Sequence, residues 1–585
     1  MAFAAALCPL IIQGCASVTG APAASPLAGL FAEITAWEEA RNPLGRLSEG
    51  ALPAALPDAS VARLAAGAAA REAFLERLQA LDARTLSATE RTSRRIMAFK
   101  LRDGIDRQRH GARLVPFNAE GGFYLANSLA AGRLALTSAS ERADYLRWLT
   151  RYAAWIDSHE ALLAAGIRAG KLPPRLVIDN NLALLVPFTD ADVDRHPDLV
   201  VLGALDADER KAASAVLESD LRPAYRRLRA LLAGAYREAA PEAVGVSVIP
   251  GGAEFYANRI AFFSTLPLTA DQLFDLGERE VARIGAAMEE IVAEVGFDGD
   301  VRAFIAHLRT APEFYPRTAQ ALLERAAWLT KTIEGELPRY FDPLYRLPLT
   351  VEPVPALIAP SYTSGRYVSG SLEARRPGIY WVNTTRLESR ALFNLPALSL
   401  HEGVPGHHLQ HARAAELADL PAFRREYYIS AFGEGWGLYA EYLGEEMGLY
   451  ASPYERFGRL SYEMWRACRL VVDVGIHARG WSRARAIDYL GARTALSKLE
   501  VANEIDRYIG WPGQALAYKV GELVIRGLRL EAERELDRDF DVRQFHEAIL
   551  SAGSVTLDVL IDRVRTQLEL SGNGIPIPGL IADAG

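Results

Sequence analysis

Four of the chain's ten histidines, His401, His407, His408 and His411, fall within eleven positions of a 585-residue sequence, and Glu402 directly follows the first of them. The stretch His401-Glu402-Gly403-Val404-Pro405-Gly406-His407-His408 is a variant of the H-E-x-x-H pattern. In that pattern two histidines one helical turn apart share a face and bind zinc, and the Glu between them serves as general base. Here four residues, not two, separate Glu402 from the next histidine. In an unbroken helix His401 and His408 would share a face, yet a rise of about 1.5 Å per residue sets them roughly 10 Å apart along the axis. Zinc–nitrogen bonds of about 2 Å make that a stretched clamp. Pro405 lacks an amide and clashes with the preceding turn, whereas Gly406 tolerates unusual dihedrals. The pair therefore reads as a two-residue bulge inside the motif helix, a feature that gathers at functional sites. On this reading His401 and His407 are metal ligands, and His408 is either the alternative second ligand or a supporting neighbour. The plain alternative is a histidine-rich turn at a helix end, where the dipole favours His.

A third ligand is expected from Phe432-Gly433-Glu434-Gly435-Trp436-Gly437, on a helix running to about Met447. Each helical glycine costs close to 1 kcal/mol against Ala, so three within five positions point to close approach of another helix or a ligand. Glu434 completes a two-His, one-Glu set that leaves a fourth position for water. Glu441, two turns on, is the alternative ligand or a carboxylate orienting a ligand histidine.

Further on, Arg469, Asp473 and His477 recur every four residues along an apolar helix. They form a structural network, or His477 donates to a tetrahedral oxyanion with Asp473 orienting it. Tyr518, on the helix opened by Trp511-Pro512-Gly513-Gln514, is the other candidate oxyanion donor. Arg507 and Lys519 are candidate anchors for a substrate carboxylate. Leu349–Val354 and Gly378–Asn383 are β-branched and aromatic runs, the best strand candidates. An edge strand beside the metal would pair with extended substrate, which makes Tyr380 and Asn383 candidate substrate contacts.

The elements that must position these residues are helices. Segments near 59–82, 87–109, 139–166, 209–239 and 268–295 carry apolar residues at three- and four-residue spacing, punctuated by breaks such as Pro173-Pro174 and Pro250-Gly251-Gly252. With half the residues hydrophobic, no internal repeat and no long linker, the sequence predicts a mainly α fold. A small β-sheet lies beside the metal site, in one domain over 27–575 with lobes at 27–340 and 341–575 about a deep cleft. A net charge of −8 and the lack of a Lys/Arg run argue against nucleic acid as a partner. A peptide substrate fits better. Residues 1–15 read as a lipoprotein signal ending at Cys15, which would be lipidated, and 16–26 as a small-residue tether. This predicts the periplasm or cell envelope, with membrane association only through the lipid; the segment lacks a positive n-region, and a cytoplasmic location is the alternative. Cys468 is then the lone thiol and belongs to the core.

The motif stretch, the strand Pro377–Thr384, Glu434-Gly435-Trp436, Asp473-Val474-Gly475-Ile476-His477 and Pro512-Gly513-Gln514-Ala515-Leu516-Ala517-Tyr518-Lys519 together resemble the bacterial domain of unknown function 885 family, over about residues 30–570. That family is similar to helical zinc metallopeptidases of the thermolysin-like group. The resemblance implies a deep cleft with Zn2+ at its floor and hydrolysis of peptides. It puts His401, His407 and Glu434 on the metal and Glu402 as base. A zinc-dependent amidase or esterase, or a lipid-anchored zinc- or peptide-binding protein without turnover, are the alternatives. Glu402 argues against the last, since a carrier needs no base beside its ligands.

Overall fold

The computed structural model describes residues 26–580, apart from 357, 360 and 361. The expected signal segment, its Cys15 and nearly all of the tether lie outside the described residues. The chain is mainly helical, with one two-stranded and one three-stranded sheet among the described residues. No helix among them is long and apolar enough to cross a membrane.

The N-terminal helices start where their sequences permit capping. Ser87 with Glu90, Ser138 with Glu141, and Thr269 with Gln272 close reciprocal boxes over Ala88–Arg109, Ala139–Ser158 and Ala270–Glu294. Two segments are less continuous than their periodicity predicts. The helix from Ala139 closes at Ser158, and a second spans Glu160–Ala169, with the His159 ring turned back to the Trp155 carbonyl at 2.9 Å. The 207–239 stretch is interrupted by a π turn at Leu217–Leu221, directly before Pro223, whose ring cannot follow an ordinary i−4 carbonyl.

One hydrophobic core runs from Leu27 to Ile577. Its axis is the helix Pro453–His477, buried at every residue from Phe457 to His477. The helix Ala270–Glu294 packs along it so tightly that a Cβ on Gly277 would come within 2.7 Å of Val471. The line expected at residue 340 is therefore not a packing boundary: Ala270–Glu294 belongs with the C-terminal half.

A helix buried on all sides must satisfy every polar group it carries. The polar residues of this one recur every three or four positions, and each finds a partner on a different element, although Arg466 Nε and Arg469 Nη1 are left without one. Glu463 bonds Lys519 at 2.8 Å, Arg469 bonds Glu504 at 2.9 Å, and Asp473 accepts from the Tyr256 hydroxyl at 2.6 Å and from the Gly513 N–H. His477 accepts at Nδ1 from the Val246 N–H (3.2 Å) and donates from Nε2 to the Tyr508 carbonyl (3.0 Å). With both ring nitrogens committed to backbone, His477 has no donor for an oxyanion, and that expectation is corrected in favour of the structural network.

Lys519 is corrected as well. It is fully buried and neutralised by Glu280 (2.9 Å), Glu463 (2.8 Å) and Glu522 (2.8 Å), so it cannot receive a substrate carboxylate. Lys519→Met is expected to lower stability by about 3–5 kcal/mol, because it leaves three buried carboxylates short of a cation. Urea denaturation measures this, and an unchanged midpoint would contradict it.

The three-stranded sheet has Gly378–Val382 at its centre, Leu349–Pro353 parallel on one side and Gly365–Val368 antiparallel on the other, with Tyr367 opposite Tyr380. Tyr380 and Asn383 are therefore enclosed, both at 0% exposure. Asn383 donates to the Ala359, Tyr362 and Thr363 carbonyls and staples that loop. Neither can touch substrate. The sheet's two edges are Leu349–Pro353 and Gly365–Val368, and the latter, which lies beside Glu402, is a short strand whose alternation the sequence reading passed over.

Candidate metal centre

The motif helix breaks as its Pro-Gly pair requires. A short helix at Leu395–Leu398 runs into a π turn at Ser399–Gly403 that carries His401 and Glu402. Val404 is extended, and the helix resumes at His407–Glu416. Gly406 caps the restart at φ −69°, ψ −126°, donating its N–H to the Leu400 carbonyl at 2.9 Å. A Cβ there would lie 2.0 Å from the His401 carbonyl oxygen. The Trp436 Nε1–H donates to the Pro405 carbonyl at 2.8 Å and holds the break in place.

This break rotates His407 onto the side of His401. Together with Glu434 they form the one group of three or more His, Cys, Asp or Glu side chains among the described residues that could hold a metal, with ligand atoms all within 4.8 Å of one another. Glu434 Oε2 stands 3.5 Å from His401 Nε2 and 3.4 Å from His407 Nε2. Ligands bound to tetrahedral zinc at about 2.0–2.1 Å lie roughly 3.3 Å apart, so these spacings fit the ion.

His408 points elsewhere. Its Nε2–H donates to the Leu347 carbonyl at 2.9 Å and its Nδ1 accepts from the Tyr367 hydroxyl at 3.2 Å, tying the motif helix to the sheet. Burial pushes its pKa down to about 4. Glu441 stands behind the cluster, not in it. It accepts from His401 Nδ1 at 2.7 Å and lies 3.3 Å from Arg466 on the central helix. A carboxylate on the far nitrogen of a ligand histidine sets its tautomer and orientation.

The electrostatics also favour a cation. Burial would lower the His401 pKa, but Glu434 and Glu441 outweigh it and push it up to about 10. Burial would raise Glu434, yet His407 and His401 hold its carboxyl well below the usual range. A cation at Nε2 would meet the Glu434 carboxylate, while Glu441 holds the proton on Nδ1.

The three glycines around Glu434 each admit a neighbour. A Cβ on Gly437 would lie 2.7 Å from the His401 ring, one on Gly435 2.5 Å from the Gly521 backbone, and one on Gly433 2.1 Å from the Tyr428 ring. The first two press the Glu434 helix (Ser430–Glu446) against His401 and against the Tyr518 helix (Ala517–Leu536). The third seats Tyr428, which sequence reasoning missed. Its hydroxyl is buried without a hydrogen-bond partner, and burial, with the Glu434 carboxylate next, pushes its pKa well up.

Glu402 is half-buried, its Oε2 accepting the Tyr367 N–H of the edge strand at 2.8 Å. Tyr518 lies beside the cluster, its ring 6.4 Å from that of His401, and its hydroxyl accepts from Arg507 at 3.2 Å. Arg507 is already paired with Glu504 at 3.1 Å, which leaves it poorly placed as a carboxylate anchor. Arg366 is the better candidate and was also missed. It is exposed on the edge strand next to Tyr367, its guanidinium 5.2 Å from the Tyr362 ring, with no carboxylate within 4.0 Å among the described residues. The alternation of Gly365-Arg366-Tyr367-Val368 was the available signal.

A cavity of about 750 Å³ runs between the 103–129 and 241–263 segments on one side and Ser430 and Ile509–Pro512 on the other. It reaches the start of the Glu434 helix and the turn ahead of Tyr518, although His401, His407 and Glu434 are not in its wall.

Among the solved structures that share this fold are two described as lipoproteins. One, described as "the putative lipoprotein from Colwellia psychrerythraea", is 25% identical, with a TM-score of 0.85 over 93% of this chain and 98% of that one. The other, "a putative lipoprotein of unknown function from Shewanella oneidensis", is 17% identical, with a TM-score of 0.72 over 92% of this chain and 99% of that one. A comparison with curated proteins finds no match. A family profile described as "Bacterial protein of unknown function (DUF885)" matches residues 43–564, and the chain belongs to that family.

Proposed function

We propose that this chain is a zinc-dependent hydrolase of peptide bonds. The observation that carries the reading is the convergence of His401, His407 and Glu434 within 4.8 Å, with Glu402 on the turn between the two histidines. Zinc, when bound, supplies Lewis acidity and a water of lowered pKa. Glu402 takes a proton from the attacking water and delivers it to the leaving amine nitrogen. The Tyr518 hydroxyl, beside His401, donates to the developing oxyanion, and the Tyr428 ring lies beside His407. Glu441 and Arg466 keep His401 in orientation. Extended substrate backbone lies along the Gly365–Val368 edge, as at other edge strands, beside the Glu402 carboxylate that holds the Tyr367 N–H. The likeness to thermolysin-like peptidases rests on the motif residues alone. The envelope location, with Cys15 as lipid anchor, draws on the N-terminal sequence and on what the two structural neighbours are described to be.

Zinc analysis of the purified protein, beside a fluorogenic peptide library, tests the reading. One zinc per chain with cleavage supports it; zinc without cleavage would move the activity to another amide or to binding, and no metal would overturn the site. On this reading Arg366 holds the free carboxylate of a peptide. Arg366→Gln is expected to raise KM about tenfold for peptides ending in a free acid and to leave C-terminal amides unaffected. Equal losses on both would remove Arg366 from substrate recognition.

A further inference from the structure

A second cavity, of about 1100 Å³, opens among the N-terminal helices, and its wall has the opposite charge to the rest of the chain. Seven cationic and four acidic side chains line it, in a protein of net charge −8. Four of the cations, Arg41, Arg71, Arg107 and Arg113, have no carboxylate within 4.0 Å among the described residues. Of the four acids on the wall, Glu38 pairs with Lys100, Asp58 accepts the Ser60 N–H at 2.8 Å, and Glu39 and Glu49 are exposed, while neighbouring Asp103 pairs with Arg259 at 2.8 Å. Arg41 and Arg71 both lie over the Trp37 ring, at 5.1 and 4.9 Å, which brings their charges onto one side chain. Burial, then Arg107 and Arg71, push the Arg113 guanidinium down to about 10.

Guanidinia gathered without counter-charge repel one another, and a bound oxyanion relieves this while accepting bidentate hydrogen bonds from their planar forks. Arg107, Ala112, Val115 and Pro116 also line the cavity that reaches Ser430 and Trp511, so the two cavities share a wall. We propose that the Arg41, Arg71, Arg107 and Arg113 cavity is a binding site for a small ligand bearing carboxylate or phosphate groups. The site stands whether or not the metal centre hydrolyses peptides.

The test is thermal melting of the full chain in inorganic phosphate, in succinate and in chloride at matched ionic strength. A saturable rise of about 2 °C over chloride is expected. A rise with phosphate alone identifies phosphate as the ligand chemistry, and a rise with both extends it to carboxylates. Arg107→Gln/Arg113→Gln is expected to abolish the rise while melting no lower than wild type in chloride, since repulsion has been removed. No rise in wild type, or an equal rise in the double variant, would overturn the proposal. So would a double variant that melts well below wild type in chloride, which would make these arginines structural.

Discussion

Glu402→Gln is expected to keep zinc and lose peptide hydrolysis by at least about 10³-fold, within the range assigned to a positioned general base. The substitution suits the question because the amide oxygen still accepts the Tyr367 N–H that holds the carboxylate at 2.8 Å. The turn and the edge strand should stay where they are. What the amide cannot do is take a proton from water or return it to the leaving nitrogen. Steady-state rates on a cleaved peptide, with zinc content measured on the same sample, decide the matter. A variant that holds zinc and cleaves at close to the wild-type rate would remove Glu402 from the mechanism.

The second large effect separates the two adjacent histidines. His407→Ala is expected to weaken zinc about 10²–10³-fold, taking a binding free energy of about 10–16 kcal/mol shared over four ligands. His408→Ala is expected to leave zinc affinity nearly unchanged. It should instead cost about 1–3 kcal/mol of stability, because the Leu347 carbonyl and the Tyr367 hydroxyl lose their buried partner. Competition against a chromophoric chelator reads the first, and urea denaturation the second. The opposite pattern, zinc lost with His408 and kept with His407, would reverse the ligand assignment.

The helical class, the starts of the five N-terminal helical segments and the motif itself were legible because they depend on local chemistry. Caps such as Ser87 with Glu90 lie three residues apart, and the break at Pro405-Gly406 follows from a missing amide and a missing Cβ. The three glycines around Glu434 signalled close approach, but not what approached. All three of the neighbours, His401, Tyr428 and Gly521, lie outside the glycine motif, and only packing brings them there. The same limit explains the errors. Tyr380, Asn383, His477 and Lys519 are polar residues at suggestive spacings, and spacing along the chain does not say whether a side chain faces a cleft or a core.

Sequence alone determined which residues could bind a metal and act as a base, since donor type and backbone permissiveness are properties of the residues themselves. Tertiary structure decided which of them meet. His401 and His407 converge on Glu434 because a broken helix, held by Trp436, is pressed against another helix through glycine. His408 faces the sheet, and the central strand is covered while Gly365–Val368 is left open. Those outcomes depend on contacts between segments tens of residues apart, which no local pattern encodes.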